Sequence, residues 1–446
     1  MGPETNHEDA AHGTPVAKHM VGTTGAQKLA LAEGTQHTAV PGTATPIEIA
    51  SLTPPTAIAG GLTDAALDTW HEPASPGSAT TSSDEVVNPM SALSTDSTTA
   101  KALYSYNDLL SITDALKFAA KIFTPDRAAT ITHPAQVRAN VPVPLLESAV
   151  DIALQLIVAG APTKYVVAGI LNDVFSGYVD SNRTDLNTTI NRKFGDLDDT
   201  GKISDLIGLV SKTDSPIPDV WLQRKAKVVS SLLAEIPDTD RLKSPYTQDD
   251  LTYMTKALRY VHNTFGEAKP RPWGPNETLP MFHHASQVGL LLVGSGQPKE
   301  VVVAGLMHDF YEGYVRKPTR QELESHVRTY FGDRVHDLIA AITEPPKGPE
   351  TGNWRERKLA VVNSLHTAGR DANTIVCASK ISTMAEGNKF LHVNGNVNGW
   401  SAGSWNDNLS VFNELREIFV ANQVPWPLVH RYDVELKRWG KHSNQD

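Results

Sequence analysis

The feature that most constrains this chain is that much of it is written twice. Val166-Val167-Ala168-Gly169-Ile170-Leu171-Asn172-Asp173 matches Val302-Val303-Ala304-Gly305-Leu306-Met307-His308-Asp309 at an offset of 136 residues. Gly177-Tyr178-Val179 returns in the same register as Gly313-Tyr314-Val315. Lys193-Phe194-Gly195-Asp196 recurs as Tyr330-Phe331-Gly332-Asp333, and Trp221-x-x-Arg224-Lys225 as Trp354-x-x-Arg357-Lys358. Upstream, Ala115-Leu116-Lys117-Phe118 pairs with Ala257-Leu258-Arg259-Tyr260. Blocks in one order with small insertions between them point to tandem domains. Two copies of this size suggest paired globular domains rather than a solenoid. The expected boundaries are 106–243 and 247–440.

Both copies carry apolar residues at helical spacing. Ala115 to Ala120, Leu145 to Ala159, Lys164 to Val174 and Lys299 to Phe310 all read as helices. Gly160 and Gly294 follow two of these runs as candidate helix ends. No series of alternating, strand-like segments appears, so the expected fold is all-α: two tandem helical domains after an N-terminal tail.

That tail, residues 1–105, has a different composition. Its first hundred residues hold 17 Thr, 17 Ala and one aromatic residue, Trp70. Two lysines face eleven acidic residues there, so nine of the ten net negative charges of the chain lie in it. Such a stretch buries too little apolar side chain to offset its ordering entropy, and disorder is expected. A solubilising role is the simplest for it, a protein-binding arm the alternative. The remainder is close to neutral, compatible with an anionic small molecule. No basic patch suggests nucleic acid. No run approaches a membrane span, and the acidic start resembles neither a secretory nor a transit signal. A single cysteine, Cys377, excludes a disulfide scaffold and a thiolate-rich metal site. A cytoplasmic setting is expected.

The second copy holds the candidate chemistry. His284 falls in one predicted helix, and His308-Asp309 near the end of the next. Two imidazoles and a carboxylate from adjacent helices suit a divalent cation of the Mn, Fe, Ni or Zn type. Such an ion activates water and polarises a phosphoryl oxygen. Glu312, one helical turn beyond His308, is placed to orient or deprotonate that water. Arg271 and Lys269 are candidates for binding a substrate phosphate. By itself His-Asp is a weak signal, since His336-Asp337 is another such pair.

The combination is what carries meaning. Arg271-x-x-Gly274, Pro280 four residues before His284, His308-Asp309-Phe310-Tyr311-Glu312, Phe331-Gly332 and Arg357-Lys358 together resemble the HD-domain superfamily. Within it they are similar to the (p)ppGpp hydrolase domain of the RelA/SpoT type, over roughly 255–385, with 110–243 as a weaker copy. The resemblance implies an all-α metal-dependent phosphohydrolase. His284, His308 and Asp309 would hold the metal, Mn2+ in that family, and Asp309 and Glu312 would serve catalysis. The substrate would be a guanosine 3'-pyrophosphate or a similar nucleotide polyphosphate. This chain departs from the family pattern at three places. Gly313 replaces an Asp after the Glu, Ser379 stands where the last metal carboxylate belongs, and Thr383 replaces an Asn. The first copy has lost more: Ser148, Asn172 and Ser176 stand at the positions of His284, His308 and Glu312, while Asp173 is retained. Asp240-Arg241-Leu242 resembles the family's final Asp segment, so Asp240 is weighed as a carboxylate reaching across to the second copy. The alternative function is a catalytically degenerate tandem-HD protein that binds a nucleotide or regulates a partner. A two-iron HD oxygenase would need further His ligands, and His326 and His336 lack the spacing.

Overall fold

The structure, a computed structural model, describes residues 102–122, 145–174, 180–197, 203–211, 221–265, 271–274, 277–312, 318–345, 352–394 and 404–441. The tail up to residue 101, Lys269, Ser176 and Gly313 lie outside the described residues, as does the side chain of Arg271.

Among the described residues the chain forms helices α1 (Tyr106–Ile122), α2 (Leu145–Val158), α3 (Thr163–Ile170), α4 (Asp180–Phe194), α5 (Ile203–Ser211), α6 (Trp221–Ala234) and α7 (Gln248–Phe265). After a short antiparallel hairpin, β1 (Arg271–Gly274) and β2 (Glu277–Leu279), come α8 (Met281–Gly294), α9 (Lys299–Leu306), α10 (Arg320–Phe331) and α11 (Asp333–Ile342). The chain closes with α12 (Trp354–Leu365), α13 (Gly369–Asn394), α14 (Trp405–Ala421) and α15 (Trp426–Gly440). The described residues are thus helical but for one hairpin, too short to show in the pattern of the sequence. The bounds of α2 and α3, shifted by 136, are those of α8 and α9.

Two differences in helix endings have identifiable structural causes. The sequence suggests a helix from Lys299 to Phe310, yet α9 stops at Leu306 and Phe310–Glu312 form a 3-10 turn. In a continued helix the Gly305 carbonyl would accept from the Asp309 amide. Here it accepts from the ring Nδ1 of His308 at 2.8 Å, a side chain displacing the backbone ladder. The same device ends α3, where Asn172 Nδ2 donates to the Gly169 carbonyl at 2.7 Å. The second difference concerns Gly294. It is the last residue of α8 rather than the residue beyond it, and the left-handed turn falls to Gly296 at φ 72°. Gly294 lacks a Cβ for another reason, since one there would crowd Leu109 of α1.

Gly160, at φ 73°, does act as the helix-ending glycine expected of it. Its carbonyl accepts from the Leu242 amide at 2.8 Å, and a Cβ would run into the Leu242 carbonyl oxygen. Gly160→Ala therefore combines the left-handed penalty of about 1–2 kcal/mol with a backbone clash. We expect a loss of at least about 2 kcal/mol in urea unfolding. Gly332→Ala, at φ 83° with open space around it, should cost only the conformational part.

The halves share one hydrophobic core. Helix α1 packs on α3 and also on α8; α7 packs on α9 and also on α2. Each half's first helix thus covers a core helix of the other. Tyr104 ties this crossing down, its amide donating to the Gly294 carbonyl at 3.1 Å and its hydroxyl to Ala161 O at 2.5 Å. At the C-terminal end Trp405 stacks on Trp439 with ring centroids 3.5 Å apart, and Phe412 meets Trp439 edge-on. These aromatics join α14 to α15, beside the long helix α13 that they hold in place.

Candidate metal centre

Three elements build the site. Every residue of α8 is buried, as expected of a helix with apolar side chains on most of its circumference. Its first turn, entered from Pro280, carries His283 and His284. The turn after α9 carries His308 and Asp309. Helix α13 packs across both and presents Ser379, Ser382 and Glu386, whose i, i+3, i+7 spacing puts them on one face.

The rings of His284 and His308 meet with their Nε2 atoms 3.2 Å apart. Asp309 lies against both, with Oδ1 3.1 Å from His308 Nε2 and Oδ2 3.8 Å from His284 Nε2. The three residues are buried, and one ligand atom from each lies within 4.8 Å of the others. A carbonyl only accepts, so the hydrogen bond to Gly305 puts the proton of a neutral His308 on Nδ1 and leaves a lone pair on Nε2. That lone pair faces the His284 ring and a carboxylate. Such a set of electron donors, withdrawn from water, could hold a cation in its midst. Two nitrogens about 2.1 Å from one ion and about 100° apart would have nearly this separation. The mixed N/O donors suit a divalent transition ion, and the residues present fit one.

Ser379 is where the sequence places it, with its hydroxyl 3.2 Å from His308 Nε2 and buried. The fourth side chain at the centre is therefore neutral. Glu386 is close by, but on the far side of His284, with Oε1 3.6 Å from Nδ1. Asp240 is exposed on the 3-10 turn Asp238–Asp240 and is not among the grouped ligands.

Glu312 ends the 3-10 turn that follows His308-Asp309. Burial, reinforced by the charge of Asp309, raises its carboxyl above the ordinary range; Lys358, Lys380 and His308 pull the other way. Its Oε1 accepts from the Glu344 amide at 3.4 Å, and Glu344 in turn is ion-paired with Lys358. A carboxyl raised in the folded state contributes stability at low pH that is lost as pH rises above its unfolded value, near 4.5. Glu312→Gln should therefore raise the urea midpoint of the EDTA-treated protein at pH 7 and leave it unchanged near pH 4. Equal midpoints for both proteins at pH 7 would contradict the burial of this charge.

Arg357 is buried and donates to the Gly352 carbonyl at 2.9 Å, a local structural role, whereas its neighbour Lys358 turns toward Glu344 and Glu312. Lys380, adjacent to Ser379, escaped the sequence reading. His336 hydrogen-bonds the Tyr311 hydroxyl at 2.9 Å and His326 that of Tyr260 at 3.1 Å, so neither joins the centre. His262 lies 3.5 Å from Glu147 of the first half and edge-on to Phe282. Cys377 is buried, and burial pushes its thiol well up, unlike a nucleophile. In the first half Asn172 reproduces the hydrogen bond of His308, Ser148 is buried, and Asp173 is ion-paired with Arg224.

No family model and no curated protein matches this chain. Parts of it are structurally similar to solved proteins. A crystal structure of lmo0812 from Listeria monocytogenes EGD-e aligns with 25% identity over 35% of this chain and 94% of its own, with a TM-score of 0.30. A metazoan ortholog of SpoT, which hydrolyses ppGpp and plays a role in starvation responses, aligns with 18% identity over 44% of this chain and 99% of its own, with a TM-score of 0.35. At TM-scores this low the chemistry of the site has to stand on its own geometry. Among the described residues no helix is long and apolar enough to cross a membrane.

Proposed function

We propose that residues 247–440 form an HD-type domain that holds a divalent metal, Mn2+ by resemblance to the RelA/SpoT-type hydrolases, and hydrolyses a nucleotide polyphosphate. The observation that carries this reading is the buried convergence of His284 Nε2, His308 Nε2 and the Asp309 carboxylate. When bound, the ion supplies Lewis acidity to a phosphoryl oxygen and to an attacking water. Asp309 would counter its charge and the two imidazoles fix its position. Glu312, raised in pKa yet held beside Asp309, would take a proton from the water. Lys358 and Lys380, close enough to act on the charge of Glu312, would bear on the phosphates of the substrate. The family pattern points to a guanosine 3'-pyrophosphate. Arg271 and Lys269 are proposed as further phosphate contacts.

Residues 106–243 are proposed as a degenerate copy. Arg224 supplies its Asp173 with a permanent cation, so this carboxylate is already neutralised without a metal. In this reading the first copy serves to cover the second.

The test is release of pyrophosphate from ppGpp by the purified full-length chain with Mn2+. Glu312→Gln should lower the rate by on the order of 10²–10⁴-fold while Mn2+ uptake persists. No release by the unaltered protein would overturn the enzymatic reading. Ser379 favours a second reading, in which the centre binds a nucleotide without turning it over. There the unaltered chain would bind ppGpp and release nothing.

A further inference from the structure

We propose that Ser382 and Glu386 are positioning residues that hold the proton of His284 on Nδ1 and so keep its Nε2 open to a cation. The inference rests on the metal-site reading above, but its first consequence is visible without metal. On its Nε2 side His284 faces His308 Nε2 at 3.2 Å and Asp309 Oδ2 at 3.8 Å. Both are acceptors, and left to them the ring proton would settle on Nε2, where it would occupy the cation's place. On the Nδ1 side stand the Ser382 hydroxyl at 2.9 Å and Glu386 Oε1 at 3.6 Å. Ser382 donates its proton to Gln287 Oε1 at 2.6 Å, so its oxygen presents lone pairs to His284 Nδ1. Glu386 adds a buried carboxylate behind it, shared with His283 Nδ1 at 3.8 Å.

These groups come from α8 and α13, nearly a hundred residues apart in sequence. A carboxylate behind a ligating imidazole raises the basicity of the ligand and fixes its tautomer, and loss of such support commonly costs 10–100-fold in metal affinity. With the neutral Ser379 beside His308 Nε2, this centre would offer an ion fewer anionic groups than its pattern implies. A buried carboxylate behind His284 partly makes up that charge without occupying a coordination position.

The experiment uses the full-length chain labelled with 15N at histidine, the His284 signals being identified by their loss in His284→Asn. In the metal-free protein the proton should be found on His284 Nδ1. In Ser382→Ala/Glu386→Leu it should move to Nε2, and Mn2+ affinity by calorimetry should fall about 10–100-fold. Ser382→Ala/Glu386→Gln, closer in shape, retains one acceptor oxygen and should fall less; it carries the test if the first pair does not fold. An unchanged Nδ1 proton together with unchanged Mn2+ affinity in the paired variants would overturn the inference. If the unaltered chain takes up no Mn2+, the metal reading fails, and the proton's position alone decides for or against the positioning role.

Discussion

His308→Ala should abolish pyrophosphate release and weaken Mn2+ binding by at least about 100-fold, beyond the range typical of a lost supporting residue. The expectation follows from how this side chain is built into the fold. Its Nδ1 is committed to the Gly305 carbonyl, which both ends α9 and aims Nε2 at the His284 ring. Alanine removes a ligand and lets the backbone ladder reclaim Gly305. A water in the vacated space could not restore the ring's direction. His308→Asn separates the two roles, because Asn172 already makes the equivalent bond to Gly169 in the first half. Asparagine should preserve the chain path and thermal stability while still losing the metal. Mn2+ titration and unfolding of both variants check this, and metal uptake retained in His308→Ala would place the ion elsewhere.

Ser379→Asp should act with opposite signs in two conditions. Ser379 Oγ lies 3.2 Å from His308 Nε2, and the carboxylate would add an anionic ligand at that point. Without metal it would be buried beside Asp309, two like charges with poor compensation, and unfolding in EDTA should occur several degrees lower. With Mn2+ the added charge should tighten binding by roughly 10-fold or more, since charge count is a main determinant of affinity at such centres. Binding to the folded state alone raises stability. The melting temperature should therefore exceed that of the unaltered chain once Mn2+ is saturating. A fall in both conditions would mean that α13 does not hold residue 379 at the metal position.

Much of this architecture can be read from the sequence. The 136-residue offset anticipates α2–α3 and α8–α9, because apolar spacing is a local signal. His284, His308 and Asp309 were legible by motif, and they do meet. What stayed hidden depends on contacts distant in sequence or on side chains competing with the backbone. The apolar pattern runs on through Phe310, whereas the bond from the His308 ring to Gly305 takes the carbonyl that the next helical turn would use, and α9 ends at Leu306. Gly294 looked like a helix end because it is a glycine after an apolar run, whereas its bareness accommodates Leu109 from the other half. Glu386 carried no signal, since nothing in a 26-residue helix announces which face will meet His284. The hairpin before α8 has two strands of four and three residues, too few to show a period of two.

The central claim is that the buried His284–His308–Asp309 group holds a divalent cation. It is tested most directly by metal analysis of the full-length chain after equilibration with Mn2+ and removal of loosely held ions. The account predicts close to one Mn2+ per chain, reduced to background in His284→Asn and unchanged in Arg224→Met of the first half. No retained metal, or metal that persists in His284→Asn, would contradict it.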